Sequence, residues 1–320
     1  MCMKKILITG ALGQIGTELT AYLREKYGSG NVIASNRRKR GDESFFEAGP
    51  FELLNVLDAK EIAGICKKYS INQIVHLAAI LSANAENDPQ TAYDINMNGT
   101  YNVLEVAREL GIAVFTPSSI AAFGASTPPD NTPQDTIQRP STMYGVTKVA
   151  GELLCDYYFK RYGVDTRGVR FPGIISYVAL PGGGTTDYAV HIYYEALKNK
   201  KYASFIKAGT YMDMMYMPDA LKAIYDLMEA NPDKLKHRNA FNVTAMSFEP
   251  EMLASEIKKY IPEFQLTYDV DPVRQAIADS WPNSLDDSAA RKEWGWKPKY
   301  DMALMTKDML DKLTVKLNIK

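Results

Sequence analysis

Apolar runs and helical apolar spacing alternate along the first half of the chain. Residues 5–9 form a compact apolar run that ends at Gly10, which predicts a buried parallel strand. Ile15, Leu19 and Leu23 then recur at four-residue spacing, so they share one face of a predicted helix. Because such strands and helices keep alternating, the sequence predicts βαβ units, a parallel sheet and right-handed crossovers.

The same patterns predict the remaining elements. Further strands are expected at residues 32–35, 74–78, 113–116 and 166–170, and further helices at 59–69, 101–110 and 144–162. After about Pro172 the pattern becomes less regular, with helices expected at 187–198, 218–230 and 250–260 and extended segments at 240–243 and 266–268. We therefore predict an α/β protein whose residues 173–320 form mainly a smaller lobe, part of which returns to the sheet.

Composition and charge exclude several classes of protein. Apolar residues make up 46% of the chain and charged residues 23%, which is ordinary for a globular protein. Lys plus Arg number 37 and Asp plus Glu 38, and this balance argues against a nucleic-acid or membrane-surface protein. The cysteines Cys2, Cys66 and Cys155 show neither metal nor disulfide spacing, so a reducing cytoplasm and no metal are expected. We expect no cleavable signal, and no apolar run approaches the ~20 residues that span a bilayer.

Three glycines stand between the first predicted strand and the first predicted helix. Gly10, Gly13 and Gly16 are each separated by two residues. A tight turn, the close approach of a pyrophosphate and close helix–strand packing each favour a residue without Cβ, and the helix N-terminus offers N–H groups to an anion. An ordinary βα turn is the alternative, but the position at the chain start favours a dinucleotide. We therefore predict a dinucleotide-binding, doubly wound Rossmann domain over residues 1–172.

The end of the second predicted strand carries Asn36, where an acidic residue usually reads the adenosine ribose. An asparagine can form a hydrogen bond with the ribose but does not repel a 2′-phosphate. Arg37 and Arg38 follow and can pair with such a phosphate, although a solvated basic loop explains them equally well. NAD is the expected cofactor, and NADP stays open as the alternative.

Tyr144 and Lys148 are four residues apart on a predicted helix, so they share one face. A phenol with a pKa of ~10 is a poor base at neutral pH, and a neighbouring ammonium favours the phenolate. A surface Tyr–Lys contact is the alternative. Ser119 strengthens the catalytic interpretation, because it lies at the expected C-terminal edge of a strand, where open α/β sheets bind ligands.

Together these features resemble an extended short-chain dehydrogenase/reductase. The resemblance rests on the three glycines, on His76-Leu-Ala-Ala79, on Asn96-Met-Asn-Gly-Thr100, on Ser119 ahead of Ala-Ala-Phe-Gly124, and on Tyr144 with Lys148. It implies Ser119, rather than Ser118, together with Tyr144 and Lys148 as the catalytic set. It also implies the following residues at the dinucleotide: Gly10, Gly13, Gln14, Ile15, Gly16, Asn36, Arg37, Asn55, Val56, Leu77, Ala78, Ala79, Asn96, Tyr144, Lys148 and Pro172.

Three further segments resemble the L-threonine 3-dehydrogenase branch of that family: Leu81-Ser82-Ala83, residues 181–190 and residues 278–287. The resemblance implies oxidation of the β-hydroxyl of L-threonine to 2-amino-3-ketobutyrate. Tyr144 would be the base, Lys148 would lower its pKa and bind the nicotinamide ribose, and Ser119 would orient the hydroxyl. Two alternatives stay open, namely a nucleotide-sugar epimerase or dehydratase of the same family and a non-catalytic dinucleotide sensor.

A small zwitterionic substrate can be held by hydroxyl groups and backbone N–H groups. The residues expected at the substrate are Ser82, Ser119, Tyr144, Gly184, Thr185, Thr186 and Trp281. The glycine-rich loop of residues 181–187 is expected to close as a lid. Asp187 is expected to cap the following helix rather than to bind the substrate ammonium.

Several conspicuous residues receive no catalytic role. His76 lies at the end of an apolar strand and is expected to be packed and hydrogen-bonded. The Met-rich segment 211–217 is expected in the core or between lobes. The resemblance implies a homodimer through the helices around 92–110 and 144–162, whose apolar residues Val103, Val106, Leu153 and Leu154 are compatible with burial on either side.

Overall fold

A six-stranded parallel sheet forms the centre of the computed structural model, which describes residues 4–178 and 182–319. The strands of the described chain are β1 (Ile6–Thr9), β2 (Val32–Asn36), β3 (Phe51–Leu53), β4 (Gln73–His76), β5 (Ala113–Phe115), β6 (Ser118–Ser119), β7 (Thr166–Arg167), β8 (Val169–Phe171), β9 (Gly173–Ile175), β10 (Lys201–Ser204), β11 (Met212–Tyr216), β12 (Phe241–Asn242), β13 (Met246–Phe248) and β14 (Gln265–Tyr268). The central order is β3-β2-β1-β4-β5-β7, and every pair in it is parallel. The predicted Rossmann-type α/β fold is therefore confirmed.

Helices cover both faces of this sheet. They are α1 (Gln14–Tyr27), α2 (Glu43–Glu47), α3 (Ala59–Tyr69), α4 (Ser82–Asn87), α5 (Pro89–Tyr93), α6 (Gly99–Leu110), α7 (Met143–Tyr162), α8 (Tyr188–Asn199), α9 (Met217–Glu229), α10 (Pro250–Lys258), α11 (Pro272–Ala278), α12 (Ser288–Trp294) and α13 (Met302–Lys316). None of the described helices is long and apolar enough to cross a membrane.

Strand β1 divides two of the hydrophobic cores, because successive side chains of a strand point to opposite faces. Ile6 and Ile8 pack into a core that includes Leu19 and Leu23 of α1 and Leu227 of α9. Leu7 packs on the other side, in a core formed largely by residues of α3, α6 and α7. All three β1 side chains are completely buried, which accounts for the continuous apolar run in the sequence.

Strand β11 connects this sheet to the core of the second half of the chain. Met212, Met214 and Tyr216 pack into a core of residues from α8, α10 and α13, whereas Met215 and Met217 pack into the core of the central sheet. The Met-rich segment is thus a buried strand between two cores. Unbranched, flexible methionine side chains suit such an irregular junction.

The predicted strand at 166–170 is two strands, β7 and β8, which part at Gly168. A Cβ at this position would lie 2.4 Å from the carbonyl oxygen of Thr116, so no larger residue allows this close crossing. β7 pairs with β5, whereas β8 pairs with β6 and β12. This switch brings the end of β6, which carries Ser119, beside the start of α7.

Candidate active site

Two adjoining cavities open at the C-terminal ends of β1 and β4, where the strand order reverses and open α/β sheets bind ligands. They share Gly10, Gly13, Leu77 and Ala79 in their linings. We call them the inner cavity and the outer cavity. The predicted residues that line the inner cavity are Gly10, Gly13, Gln14, Ile15, Gly16, Leu77, Ala79, Ser82, Ser119, Tyr144, Lys148, Pro172, Gly184, Thr185, Thr186 and Trp281. Those that line the outer cavity are Gly10, Gly13, Asn36, Arg37, Asn55, Val56, Leu77, Ala78 and Ala79.

The three glycines serve different purposes in this structure. Gly10 has a φ of +70°, and a Cβ on it would lie 2.7 Å from the backbone nitrogen of Ala78. A Cβ on Gly16 would lie 2.4 Å from the carbonyl oxygen of Gly10. Gly13 is the N-cap of α1, and within 4 Å its Cβ would meet only that same oxygen, at 3.3 Å. Gly10 and Gly16 therefore permit the fold, while Gly13 leaves the helix N-terminus open to a phosphate group.

This difference predicts different results for two matched substitutions. Gly13→Ala is expected to fold normally and to bind a nicotinamide dinucleotide at least tenfold more weakly, because its methyl group occupies the space before the helix N-terminus. Gly16→Ala is expected to lose roughly 1–3 kcal/mol of folding stability through overpacking. Thermal melting and a fluorescence titration with reduced cofactor measure the two effects. Unchanged cofactor affinity in Gly13→Ala would contradict this assignment.

The outer cavity has a basic wall at the end of β2. The side-chain amide of Asn36 donates to the carbonyl oxygen of Arg38, at 3.1 Å. Arg37, Arg38 and Arg40 are exposed and line the same cavity, whereas none of the acidic side chains that the structure describes does. The sequence offered Arg37 and Arg38 as partners for a phosphate but not Arg40, since the side chains of this segment could equally have pointed into solvent. This wall could hold an adenosine ribose and would not repel a 2′-phosphate.

Asn96 does not line either cavity, which differs from its predicted cofactor contact. Its amide is buried, accepting a hydrogen bond from the backbone N–H of Ile80 at 2.8 Å and donating to the Ile80 carbonyl at 3.0 Å. It also donates to the Thr147 hydroxyl, at 3.1 Å. Asn96 therefore fixes the loop after β4 against α7. The sequence motif identified a residue that holds the site together. Its side chain is hydrogen-bonded to the backbone of the neighbouring loop and therefore does not face the cofactor cavity.

Ser119, Tyr144 and Lys148 meet in the inner cavity. Ser119 ends β6, its hydroxyl accepts from the backbone N–H of Ala121 at 3.2 Å, and it lies close enough to the Tyr144 phenol to lower the pKa of that phenol. The neighbouring Ser118 instead donates to the buried Glu152 carboxylate. Because Ser118 is bonded to Glu152 and Ser119 lies beside the phenol, the geometry favours the predicted choice of Ser119 over Ser118.

Lys148 is anchored behind the phenol. Its Nζ donates to the carbonyl oxygen of Pro117 at 2.7 Å and lies 5.4 Å from the ring centre of Tyr144. The ammonium is held by a backbone carbonyl on the loop between β5 and β6, and its one-turn spacing on α7 puts it beside the phenol. The structure thus brings together the predicted phenol and the predicted ammonium.

The pKa values of Tyr144 and Lys148 differ from the sequence prediction, in which the ammonium lowers the pKa of the phenol. Burial raises the pKa of Tyr144 to about 12, an increase that the neighbouring Ser119 hydroxyl opposes. Burial also lowers the pKa of Lys148 to about 8, opposed by the negative charge of Glu152. Desolvation therefore outweighs the expected lowering of the Tyr144 pKa by Lys148. A positively charged group that binds beside the phenol would favour its ionised form.

Small polar groups converge on the other wall of the inner cavity. Ser82 and Thr185 are buried, and the Thr185 hydroxyl has no hydrogen-bond partner among the described residues. Trp281 packs against a cluster that contains Tyr144. The wall therefore offers hydroxyl groups and an aromatic surface to a small polar molecule.

The glycine-rich loop is anchored at both described ends. Pro181 lies outside the described residues, and the carbonyl oxygen of Gly182 accepts from the Asn84 side chain at 3.2 Å. The Asp187 carboxylate accepts from the backbone N–H groups of Gly183 at 2.9 Å and Gly184 at 2.5 Å. Asp187 therefore caps the turn that precedes α8 rather than α8 itself, and closure of the loop as a lid stays a prediction.

Some residues of the inner cavity were missed by sequence reasoning. They are Leu81, Ile120, Phe171, Gly173, Ile174, Gly182 and Asp187 among others. Gly173 permits a close approach, since a Cβ there would lie 2.4 Å from the Met214 sulfur and 2.7 Å from Thr186, and the glycine itself is the only sign of it in the sequence. The apolar members carried none, because a cavity wall and a core position have the same composition. No group of potential metal ligands occurs among the described residues.

Comparison with known proteins agrees with this geometry. Residues 6–244 match a family described as the NAD dependent epimerase/dehydratase family. An uncharacterized epimerase/dehydratase of Staphylococcus aureus (strain USA300) is 58% identical over 99% of each chain. The structure of L-threonine dehydrogenase from Clostridium difficile has 66% identity and a TM-score of 0.97 over 98% of each chain. A monomeric L-threonine 3-dehydrogenase from a metagenome has 46% identity and a TM-score of 0.93, over 98% of this chain and 99% of that one.

Proposed function

The chain belongs to the NAD dependent epimerase/dehydratase family and takes a nicotinamide dinucleotide, and on that premise we propose that it oxidises L-threonine to 2-amino-3-ketobutyrate with NAD. The observation that carries the proposal is the meeting of Ser119, Tyr144 and Lys148 with the hydroxyl-lined wall in one cavity. The high identity to a solved L-threonine dehydrogenase over nearly the whole chain supports the choice of substrate.

In this proposal the chain's own residues move a single proton. Tyr144 takes the proton of the β-hydroxyl, and Ser119 holds that hydroxyl in line with the phenol oxygen. Lys148 stabilises the phenolate and is the residue that would hold the nicotinamide ribose. The bound nicotinamide supplies the chemistry of hydride acceptance from Cβ. The product is a β-keto acid, which loses CO₂ readily to give aminoacetone.

L-Threonine carries a carboxylate and an ammonium group. No arginine among the described residues lines the inner cavity, so the carboxylate needs other partners. We assign the carboxylate to the hydroxyls of Ser82, Thr185 and Thr186 and to the backbone of Gly184. The Thr185 hydroxyl supports this assignment, since it is buried and lacks a partner among the described residues. Trp281 closes the wall against Tyr144, which favours a small substrate over a nucleotide-sugar.

NAD is the proposed cofactor, and the basic wall of the outer cavity favours NADP as a second candidate. Arg37, Arg38 and Arg40 have no ion pair among the described residues, so their charges are free to meet a phosphate. Asn36 accommodates either cofactor. The choice between NAD and NADP therefore depends on whether these exposed arginines bind a 2′-phosphate, and an assay with each cofactor measures it.

We also propose the predicted homodimer. Val103 and Val106 are buried inside the protomer's own core, and Leu154 packs partly against it, so these three do not form an interface. Leu153 is 62% exposed, and Tyr101 and Tyr157 are about half exposed on the same pair of helices. These exposed apolar side chains on α6 and α7 support an interface there. Because one relative is monomeric, the mass of this protein in solution must be measured to test the homodimer.

Two further proposals concern organisation and location. We propose that residues 1–172 bind the dinucleotide and that residues 173–320 mainly bind the substrate. We place the protein in the cytoplasm, because Cys66 and Cys155 are buried free thiols, as expected in a reducing compartment. Neither nucleic acid nor a membrane is proposed as a partner.

The test is an assay of nicotinamide reduction with purified protein and L-threonine, run with NAD and separately with NADP. We expect rapid reduction of NAD and at least tenfold slower reduction of NADP. Reduction with NADP alone would keep the reaction and reverse the cofactor assignment. If neither cofactor is reduced with L-threonine and a uridine diphosphate sugar is turned over, the epimerase alternative would be established. Cofactor binding without any turnover would favour a dinucleotide sensor.

A further inference from the structure

A third cavity lies beside Lys148 and has not been used by the proposed reaction. Its volume is about 30 Å³, and its lining includes His76, Asn96, Lys148, Glu152, Cys155 and Asn239. We call it the rear chamber. A cavity needs roughly 10–15 Å³ and two to four polar partners to hold a water molecule. The rear chamber has space for at least one.

Two of its polar atoms are buried without a hydrogen-bond partner among the described residues, namely Nε2 of His76 and Oδ1 of Asn239. The opposite nitrogen of the histidine, Nδ1, is 2.8 Å from the hydroxyl of Thr9, so the ring orientation is fixed. The Asn239 amide nitrogen donates to Asp156 and to Thr166, so its oxygen is oriented as well. Unpaired buried polar atoms of this kind are normally satisfied by ordered water.

Lys148 also lines the rear chamber and has further N–H groups to donate. An ammonium carries three N–H groups, and one of them donates to Pro117. The Glu152 carboxylate is already engaged by Arg170, by Gln138 and by Ser118. A water in the rear chamber would therefore supply an acceptor that this buried ammonium otherwise lacks.

We propose that the rear chamber holds resident water bonded to Nε2 of His76 and to Nζ of Lys148, and that His76 is a positioning residue which keeps Lys148 charged and in place. The bridge works with either tautomer of the histidine, because water can accept from Nε2–H or donate to an unprotonated Nε2. The role in catalysis rests on the function proposed above, whereas the water site does not.

The charges around Lys148 are consistent with a neutral histidine. The titratable groups that face the ammonium are Tyr144, Glu152 and Cys155 on α7 and His76 on β4, with Arg170 on β8 paired to Glu152. Burial, together with the positive charge of Lys148, lowers the pKa of His76 to about 3. His76 therefore stays uncharged at neutral pH and is a weak proton acceptor, which argues against a general base and favours hydrogen bonding through water as its means of action.

Two variants of His76 test the positioning role. His76→Leu removes the polar atom that faces the chamber, whereas His76→Gln keeps an amide there. In His76→Leu the rise of kcat/KM with pH is expected to move upward by about one pH unit, roughly a tenfold loss below the midpoint, because a less firmly charged Lys148 stabilises the phenolate less. His76→Gln is expected to recover at least half of this shift. An unchanged profile in a folded His76→Leu protein, checked by thermal melting, would overturn the positioning role.

A crystal structure of the unmodified protein with its cofactor tests the water site without any assay. Ordered density within about 3.2 Å of both His76 Nε2 and Lys148 Nζ is the expected result. A dry chamber, or a direct contact between the two side chains, would overturn the inference even if L-threonine is oxidised as proposed. Conversely, ordered water in a protein that does not oxidise L-threonine would sustain the water site while the proposed function fails.

Discussion

Tyr144→Phe is expected to lower kcat/KM for L-threonine by about 10³-fold while cofactor affinity stays within a factor of three. General-base catalysis by a positioned side chain contributes typically 10²–10⁴-fold, and the phenol oxygen is the group proposed to take the hydroxyl proton. The ring itself remains, so the packing of Trp281 against this cluster is retained. Initial rates of nicotinamide reduction and a cofactor titration measure both quantities.

Tyr162→Phe on the same helix is the matched control, because its side chain is 45% exposed and lies outside the inner cavity. We expect this variant to behave as the unmodified protein. If Tyr144→Phe retained more than a tenth of the normal kcat/KM, the phenol would not be the base, and the proposed mechanism would be wrong.

Lys148→Met is expected to lower kcat/KM by about 100-fold at neutral pH and to weaken cofactor binding. A unit charge 5.4 Å from the ring centre contributes on the order of 3 kcal/mol at an effective dielectric constant of about 20, which is about two pKa units for the phenol. Because the phenolate is the proposed active form, kcat/KM is expected to rise with pH, and the variant's rise should lie about two pH units higher.

The pH dependence of the loss in kcat/KM of Lys148→Met gives a sharper test than the size of the loss. The pKa of Lys148 is lowered to about 8, so the ammonium loses its charge above that pH and the advantage of the unmodified protein should shrink there. Lys160→Met, which removes an exposed lysine from the same helix, is the control. A deficit that is constant from pH 6.5 to 10 would indicate that Lys148 acts on cofactor binding alone.

The sequence predicted those parts of the fold that depend on local patterns. Helix α3 occupies the predicted residues, and the apolar run at residues 5–9 corresponds to the buried β1. The elements that the sequence did not predict include strands β3, β9, β10, β11 and β13 and helices α2, α4, α5 and α11–α13. β11 is a clear case, since all five of its residues are buried between two cores and no alternation in the sequence marks it as a strand.

The resemblance to the extended dehydrogenase family and to its L-threonine 3-dehydrogenase branch is confirmed by the comparisons. The structure also brings all but one of the predicted site residues to the two cavities. Asn96 is the exception, because hydrogen bonding to Ile80 uses its side chain. Motif spacing shows which residues approach the site, but it does not show which of them face the cavity or how burial changes their pKa values.

The most direct test of the central claim uses L-threonine deuterated at Cβ together with oxidised NAD. We expect deuterium at C4 of the reduced nicotinamide, which NMR of the cofactor detects. One reduced cofactor is expected for each 2-amino-3-ketobutyrate or aminoacetone released. Deuterium that stays on unreacted threonine or is released to water, with no label at C4, would contradict oxidation at the β-carbon by this site.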